Sequence, residues 1–317
     1  MATTPAAAPT RAAAPISSTQ PGGGFCMGLE LAWSRCRRAR LRRFRPGYVR
    51  RMADLRQGHC PDCPHDIIDP RDLKFYRNVC GYWFRPEDDA FRWRDRLGVA
   101  RAGLAELIFF SAIFAALTAL FVGLGFIHPL WLTPLLLVLP AWLFVLSFFR
   151  DPDRIIPTGP DALVSPADGT VTHVGEVVDA DFPGGRAFRV SIFLSLFNVH
   201  VNRNARSGRV AGLHYYPGEY LDARSGECSV RNEQMWIDVT NAQTGVLVRT
   251  KQIAGAVARR IVCGLRPGEE VRAGERFGMI KFGSRTEVYV PVEAVKEVLV
   301  KPGDAVKGGS TILLRMK

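Results

Sequence analysis

Cysteine is too sparse here to build a secreted disulfide scaffold: seven residues, an odd number, lie across 317. Such scaffolds are short and cysteine-dense, so these thiols are expected to be reduced and cytosolic. Acidic residues are also in deficit. Against 42 Lys and Arg stand 30 Asp and Glu, a formal charge of +12, with much of the excess in early arginines. Such a balance points to nucleic acid or to an anionic membrane surface. No zinc-finger pattern and no basic-aromatic lattice is present, so no nucleic-acid partner is expected. The N-terminus lacks the charged start, apolar run and small-residue cleavage site of a signal peptide. No glycine-rich phosphate cradle stands out, and long amphipathic helices are missing after residue 150.

What is present divides the chain into three parts: a basic, partly disordered extension (1–100), an apolar pair of segments (101–149) and a soluble domain (150–317). Residues 1–25 are Ala, Thr and Pro followed by Gly22-Gly23-Gly24, too polar and simple to bury a core. Arg35, Arg37, Arg38, Arg40, Arg42, Arg43 and Arg45 crowd the next stretch. Two readings stand for it. The favoured one is a solvated basic arm, or an over-extended gene start. The other is a polybasic segment at an anionic membrane surface, where each charge contributes about 1 kcal/mol. Cys60 and Cys63 form a C-x-x-C flanked by His59 and His65, with Cys80 beyond. A structural zinc site normally needs two spaced pairs. No second pair is evident, so no metal is expected. The surrounding prolines also disfavour a redox motif.

Leu104 to Phe126 and Leu130 to Phe149 are nearly all apolar, broken by His128-Pro129. Each run is about the 20 residues a helix needs to cross a bilayer core. The short break predicts a transmembrane helical hairpin. Arginines before it, and Arg150 and Arg154 after it, predict that both flanks lie in the cytoplasm. Pro134 and Pro140 leave a re-entrant or interfacial hairpin open.

From Arg150 onward the pattern is β. Val190, Ile192 and Leu194 alternate as in a half-buried strand. Met235–Thr240 and Val246–Ile253 flank a loop at 241–245, which reads as a hairpin. Short strands between Gly and Pro predict a mainly β fold, a compact β-sandwich or barrel-like domain. Pro267-Gly268-Glu269-Glu270-Val271 running to Gly274, and Pro302-Gly303-Asp304-Ala305-Val306 running to Gly309, form an internal repeat. This suggests a pseudo-symmetric pair of hairpins of lipoyl- or biotinyl-like type, which bears on fold more than chemistry.

Three segments could carry chemistry: Ser165-Pro166-Ala167-Asp168-Gly169, Phe197-Asn198-Val199-His200-Val201-Asn202-Arg203, and Phe282-Gly283-Ser284-Arg285. Each alone is commonplace. Together, in this order and behind an apolar hairpin, they resemble the short form of the phosphatidylserine decarboxylases. The resemblance covers about residues 148–293, from Arg150-Asp151-Pro152 to Tyr289-Val290-Pro291. It includes Asn232-Glu233, Ile253-Ala254-Gly255 and Ala258-Arg259-Arg260. The long form has Ser or Thr where this chain has Arg285, and a second His where it has Phe197.

The resemblance implies an enzyme that converts phosphatidylserine to phosphatidylethanolamine and carbon dioxide through a Schiff base to a pyruvoyl group. The chain would make that group by cutting itself between Gly283 and Ser284. It would yield a β chain ending at Gly283 and an α chain, 284–317, that stay together because the strands flanking the cut share a sheet. By the same resemblance His200 is the base that activates Ser284, and Asp168 orients it. His200 is also the candidate for returning a proton to the substrate. Arg203, Arg259 and Arg260 are substrate-binding candidates, against a reading as ordinary surface charge. His214, Cys228 and Cys263 read as structural. The chemistry requires no metal and no pyridoxal phosphate. The implied partners are phosphatidylserine in the inner membrane and a homo-oligomeric copy. Two alternatives are a self-processing decarboxylase of a small soluble amino acid, which the hairpin argues against, and a tethered lipoyl-like adaptor, which would not need Gly283-Ser284.

Overall fold

The computed structural model describes residues 12–19, 25–241, 243–256, 260–281 and 283–317. Most of the segment expected to be disordered, 1–11 and 20–24, lies outside the described residues, as do Arg259 and Phe282. The arginine-rich stretch is helical, in α1 (Phe25–Phe44) and α2 (Pro46–Leu55). Arg, Leu and Ala are good helix formers, and Pro46 opens α2 where its missing N–H costs nothing. Arg37 and Arg38 both pair with Asp72, whose side chain is fully buried. Two short strands, β1 (Gln57–Gly58) and β2 (Tyr82–Trp83), then pair antiparallel. Nearby, Asn78 Nδ2 donates to Cys263 O at 3.0 Å, and Arg77 meets Glu269 at 2.8 Å. The expected solvated arm is therefore corrected. The buried Asp72 compensates part of its charge, and the segment docks on the β domain, while Arg35, Arg40, Arg42, Arg43 and Arg45 stay exposed.

The apolar runs form α3 (Leu104–Gly125) and α4 (Leu135–Phe148), joined by a turn at Pro129–Leu132. With their flanking turns, Arg101–Gly125 and Pro129–Phe148 are long and apolar enough to cross a membrane, and almost none of either is buried in the protein. Pro140 sits inside α4 without ending it. Trp142 Nε1 donates to Ser111 Oγ at 3.0 Å, a polar clasp between the helices.

The β domain runs through β3 (Ala162–Val164), β4 (Gly169–Val178), β5 (Arg186–Leu194), β6 (Val201–Arg203) and β7 (Gly208–Tyr216). After a four-residue helix, α5 (Cys228–Arg231), come β8 (Gln234–Thr240), β9 (Leu247–Ile253), β10 (Arg260–Cys263) and β11 (Glu270–Val271). The last strands are β12 (Arg276–Lys281), β13 (Ser284–Val290), β14 (Val295–Val298), β15 (Ala305–Val306) and β16 (Ile312–Met316). Eight of them form one curled antiparallel sheet in the order β11-β7-β8-β9-β13-β5-β4-β15, with smaller sheets β10-β12-β6 and β14-β16-β3. The domain is mainly β as expected, but the large sheet is an open half-barrel whose end strands do not pair with each other. Val190, Ile192 and Leu194 face the core with Val288, Val290, Leu313 and Leu314. Burying one such Leu or Ile contributes about 2 kcal/mol.

The repeat is structural. Its two copies supply β11 and β15, the two ends of the large sheet. Gly303 N donates to Val171 O, and Gly268 N to Val210 O, each at 2.8 Å. Gly309 N donates to Ser165 O, and Gly274 N to Asn204 O, each at 2.7 Å. A bulge breaks the β12–β6 register between Arg276 and Gly278, and the β16–β3 register between Ile312 and Leu314. The two repeat segments and the strands they pair with thus share one pattern of hydrogen bonds and bulges.

One expectation fails. The strands flanking Gly283-Ser284 do not share a sheet: β12 belongs to the small sheet with β10 and β6, and β13 lies in the large sheet between β9 and β5. The turn at Gly283 is where the chain crosses between them.

Candidate active site

Ser284 starts β13 in the middle of the large sheet, paired in register with Leu194 of β5. It is fully buried, and its Oγ has no hydrogen-bond partner among the described residues. Leaving such a hydroxyl unpaired costs about 1–3 kcal/mol. Gly283 adopts φ +66°, a left-handed conformation that disfavours any side chain. Its carbonyl lies against Gly255, where an added Cβ would stand 2.3 Å from Gly283 O and 3.2 Å from Ala223 Cβ. Position 255 is glycine because the backbone before Ser284 passes that close. Gly255 is in turn placed by its neighbours: Ala254 N donates to Glu233 O at 2.9 Å, and Asn232 Nδ2 donates to Ala254 O at 2.7 Å. The Asn232-Glu233 and Ile253-Ala254-Gly255 stretches therefore share a task that their sequence alone does not disclose.

His200, immediately before β6, is fully buried. Its Nε2 accepts from Gly283 N–H at 3.3 Å, and its Nδ1–H donates to Asn198 O at 2.9 Å. Those two bonds require the neutral ring with its proton on Nδ1. The Phe148 ring, from the end of α4, packs 4.3 Å from it centre to centre. Burial brings the pKa from the usual 6.5 down to about 4, opposed by the Asn198 carbonyl and aided by the charge of Arg150. The imidazole is therefore an uncharged proton acceptor at neutral pH. It engages the amide of residue 283, and no hydrogen bond joins it to the Ser284 hydroxyl.

The other candidates are placed differently. Asp168 accepts from Arg154 at 2.7 Å and 3.0 Å and from Gly308 N at 2.8 Å. It makes no hydrogen bond to His200, whose Nδ1 is oriented by the Asn198 carbonyl instead. Arg203 is buried in an ion pair with Asp151 at 2.7 Å and also donates to Gly274 O at 3.1 Å. Its charge is thus met inside the fold by a carboxylate. Arg260 sits opposite Lys281 in the β10–β12 register, and its Nε is buried without a partner among the described residues. Lys281 pairs with Glu106 at the start of α3. His214 lies on β7, 3.8 Å from Asp238. Cys228 and Cys263 are buried, and burial pushes the Cys263 thiol up to about 12, where it is inert.

Sequence reasoning missed the back of β13. Its alternate residues point away from Ser284, and Glu287 there is fully buried, accepting from Ser191 Oγ at 2.9 Å, Ser229 Oγ at 2.7 Å and Tyr289 O–H at 2.7 Å. Burial pushes its carboxyl up, but Arg189 and these donors outweigh that and hold it below the usual range. Phe148 was also missed. It reads as one more apolar residue of a membrane segment, yet it roofs the histidine.

The family model described as Phosphatidylserine decarboxylase matches residues 142–314, a span that includes His200, Gly255, Gly283 and Ser284. The phosphatidylserine decarboxylase proenzyme of Rhodopirellula baltica is 43% identical over 246 residues, 77% of this chain and 98% of that protein. The proenzyme of that name from Carboxydothermus hydrogenoformans is 46% identical over 194 residues, 61% of this chain and 89% of its own.

Proposed function

Because the chain belongs to the phosphatidylserine decarboxylase family, we propose that it decarboxylates phosphatidylserine to phosphatidylethanolamine with a pyruvoyl group made from its own Ser284. The observation that carries this is the Gly283–Ser284 link: an unpaired buried hydroxyl follows a left-handed glycine whose amide is bonded to a neutral histidine. In the maturation step Ser284 Oγ adds to the Gly283 carbonyl carbon. The C–N bond breaks, its nitrogen takes a proton, and an ester replaces the amide. Loss of the Ser284 α-proton then expels Gly283 as a carboxylate. The dehydroalanine left behind takes up water and releases ammonia, leaving the ketone.

His200 is the base in this reading. Its Nε2 exchanges the Gly283 N–H for the Ser284 O–H, while Asn198 holds the proton on Nδ1. Gly255 keeps the space into which the Gly283 carbonyl fits. Asp168 acts through the turn it shares with Gly308 and Arg154 rather than by contact with the imidazole. A pyruvoyl group at 284 would supply a carbonyl that condenses with the substrate amine and accepts the electrons freed as carbon dioxide leaves. His200 is then the residue to return a proton. The α chain would stay bound after cleavage, because β13 pairs with β5 and β9, β15 with β4, and β16 with β3.

The hairpin supports a lipid substrate. Phe148 touches His200, and Lys281, two residues before Gly283, pairs with Glu106. The site is thus attached to the ends of α3 and α4, where the headgroup of a bilayer lipid would be met. We assign the spanning hairpin to the inner membrane with the β domain on the cytoplasmic side, from the arginines on both flanks. Arg260, and Arg259 beside it in sequence, are the candidates to meet the anionic headgroup. The duplicated hairpins are read as lipoyl-like.

The test is a denaturing gel of the full chain purified in detergent. Wild type is expected to give fragments of 283 and 34 residues, the smaller lighter than a serine-started peptide by one ammonia. Ser284→Ala is expected to give one band and no carbon dioxide from phosphatidylserine vesicles, and free serine is expected to be a poor substrate. An active wild type with an intact chain would overturn the proposal.

A further inference from the structure

A second cluster of reactive side chains lies outside the span the family model matches. Cys60 and Cys63 follow β1, Cys80 precedes β2, and the pairing of those strands brings the two turns together. Two glycines permit the approach: a Cβ on Gly58 would stand 2.1 Å from Gly81 O, and one on Gly81 would stand 2.0 Å from His59 O. Cys63 Sγ is 3.0 Å from Cys80 Sγ, and Cys80 Sγ is 3.8 Å from Cys60 Sγ. Cys60 and Cys63 are joined as a disulfide, unlike the reduced thiols expected from the sequence, because the C-x-x-C turn sets their Cα atoms 5.4 Å apart. Ile67, Leu73, Tyr82 and Phe84 pack around the cluster.

A disulfide uses two of these sulfurs and leaves Cys80 buried against it. A tetrahedral thiolate site uses all three. Around a zinc-sized ion, sulfurs bound at about 2.3 Å stand about 3.8 Å apart, which is the present Cys60–Cys80 spacing. We propose that in the reduced chain Cys60, Cys63 and Cys80 hold one zinc-class divalent ion, as three of its four ligands. His65 is not a ligand, since its Nε2 is 3.0 Å from Asp72 O and its ring packs edge-on against Tyr76. The C-x-x-C alone offered no second pair, and the third sulfur comes from a turn that only β1–β2 pairing brings near.

The ion has a structural task. The segment closed between Cys63 and Cys80 carries Asp69 and Asp72, which take the charges of Arg71, Arg37 and Arg38. It also carries Asn78, which bonds the backbone of Cys263 and Leu265 in the β domain. Closing it with metal would fasten the arginine-rich helices to that domain, independently of the reaction proposed above.

The experiment is metal analysis of the full chain, purified in detergent under reducing conditions without chelator. One zinc per chain is expected, falling at least tenfold in Cys63→Ser and Cys80→Ser and unchanged in Cys36→Ser, which alters an exposed cysteine. Should the first two variants fail to fold, wild type stripped by chelator is expected to melt earlier and to recover its melting temperature when zinc alone is restored. Cobalt in place of zinc is expected to show thiolate-to-metal absorption. A reduced wild type without metal, an intact Cys60–Cys63 disulfide in that preparation, or full metal content in Cys80→Ser would overturn the site.

Discussion

The two halves of the β domain use the same backbone and carry different side chains. His200 precedes β6 and accepts from Ile280 N at 3.4 Å, whereas Asp161 precedes β3 and accepts from Met316 N at 2.8 Å. As backbone they do the same work. As side chains they diverge: Asp161 reaches a partly exposed Arg315 at 2.9 Å, while His200 is buried under Phe148. The second pair of equivalents is Asp168 and Ser207. Asp168 caps Gly308 N at 2.8 Å, and Ser207 Oγ caps Ala273 N at 2.9 Å. Duplication therefore supplies a rigid frame. The candidate chemistry sits where the copies differ, and the difference is imposed by what packs on one of them.

The largest expected effect separates the first pair. His200→Gln should slow cleavage by roughly a hundredfold or more, the scale of lost general-base catalysis, while Asp161→Asn stays within about twofold. A gel time course of fragment release measures both, and equal losses would collapse the distinction. Next in size is Gly255→Ala. Its methyl would overlap the Gly283 carbonyl, and a forced backbone shift of about 2–3 kcal/mol corresponds to roughly a hundredfold slower cleavage. Gly264→Ala is the control, since its Cβ would meet nothing closer than Phe277 O at 3.4 Å, and a rate near wild type is expected.

Acid stability sharpens the comparison further. The folded state holds His200 near 4 rather than 6.5, so the unfolded chain binds the extra proton first. The stability tied to the neutral ring is whole above about pH 6.5 and is lost as pH falls toward 4. The loss amounts to about 3 kcal/mol. Urea titrations across that window should show it in wild type and not in His200→Gln. Phe148→Ala should shrink it by letting water reach the ring. The smallest effects belong to the caps. Ser207→Ala should cost about 1 kcal/mol, and Asp168→Asn about 1–2 kcal/mol because the Arg154 pair goes too, read as a few degrees in melting temperature. If Asp168→Asn stops cleavage while Ser207→Ala does not, Asp168 takes part in the chemistry and the equivalence ends.

How far the sequence could be read follows the range of the interactions. The β5 alternation, the β8–β9 hairpin, the apolar runs and the repeat are local patterns, and all four appear as elements. The proximity of His200 to the Gly283–Ser284 link, two segments far apart in the chain, is seen only in the fold. The task of Gly255 was not legible either, because its constraint comes from a carbonyl 28 positions away in the chain. The burial of Arg203 was not legible, because a surface arginine and one buried against Asp151 are spelled alike. The arginine-rich stretch was misjudged for a related reason. Its carboxylate partners at Asp66 and Asp72 follow a cysteine turn that gives no sign of folding back.

Local sequence carries the candidate groups and elements: a hydroxyl beside a glycine amide, an imidazole, two apolar helices and a doubled turn, each written within a few residues. Tertiary structure decided what those groups are. It set His200 neutral by burying it beneath a helix end, gave Asp168 to a turn, split the strands at 283–284 between two sheets and drew three sulfurs into one place. The physical reason is that protonation, desolvation and close approach depend on neighbours distant in the chain, and only packing brings those neighbours into contact.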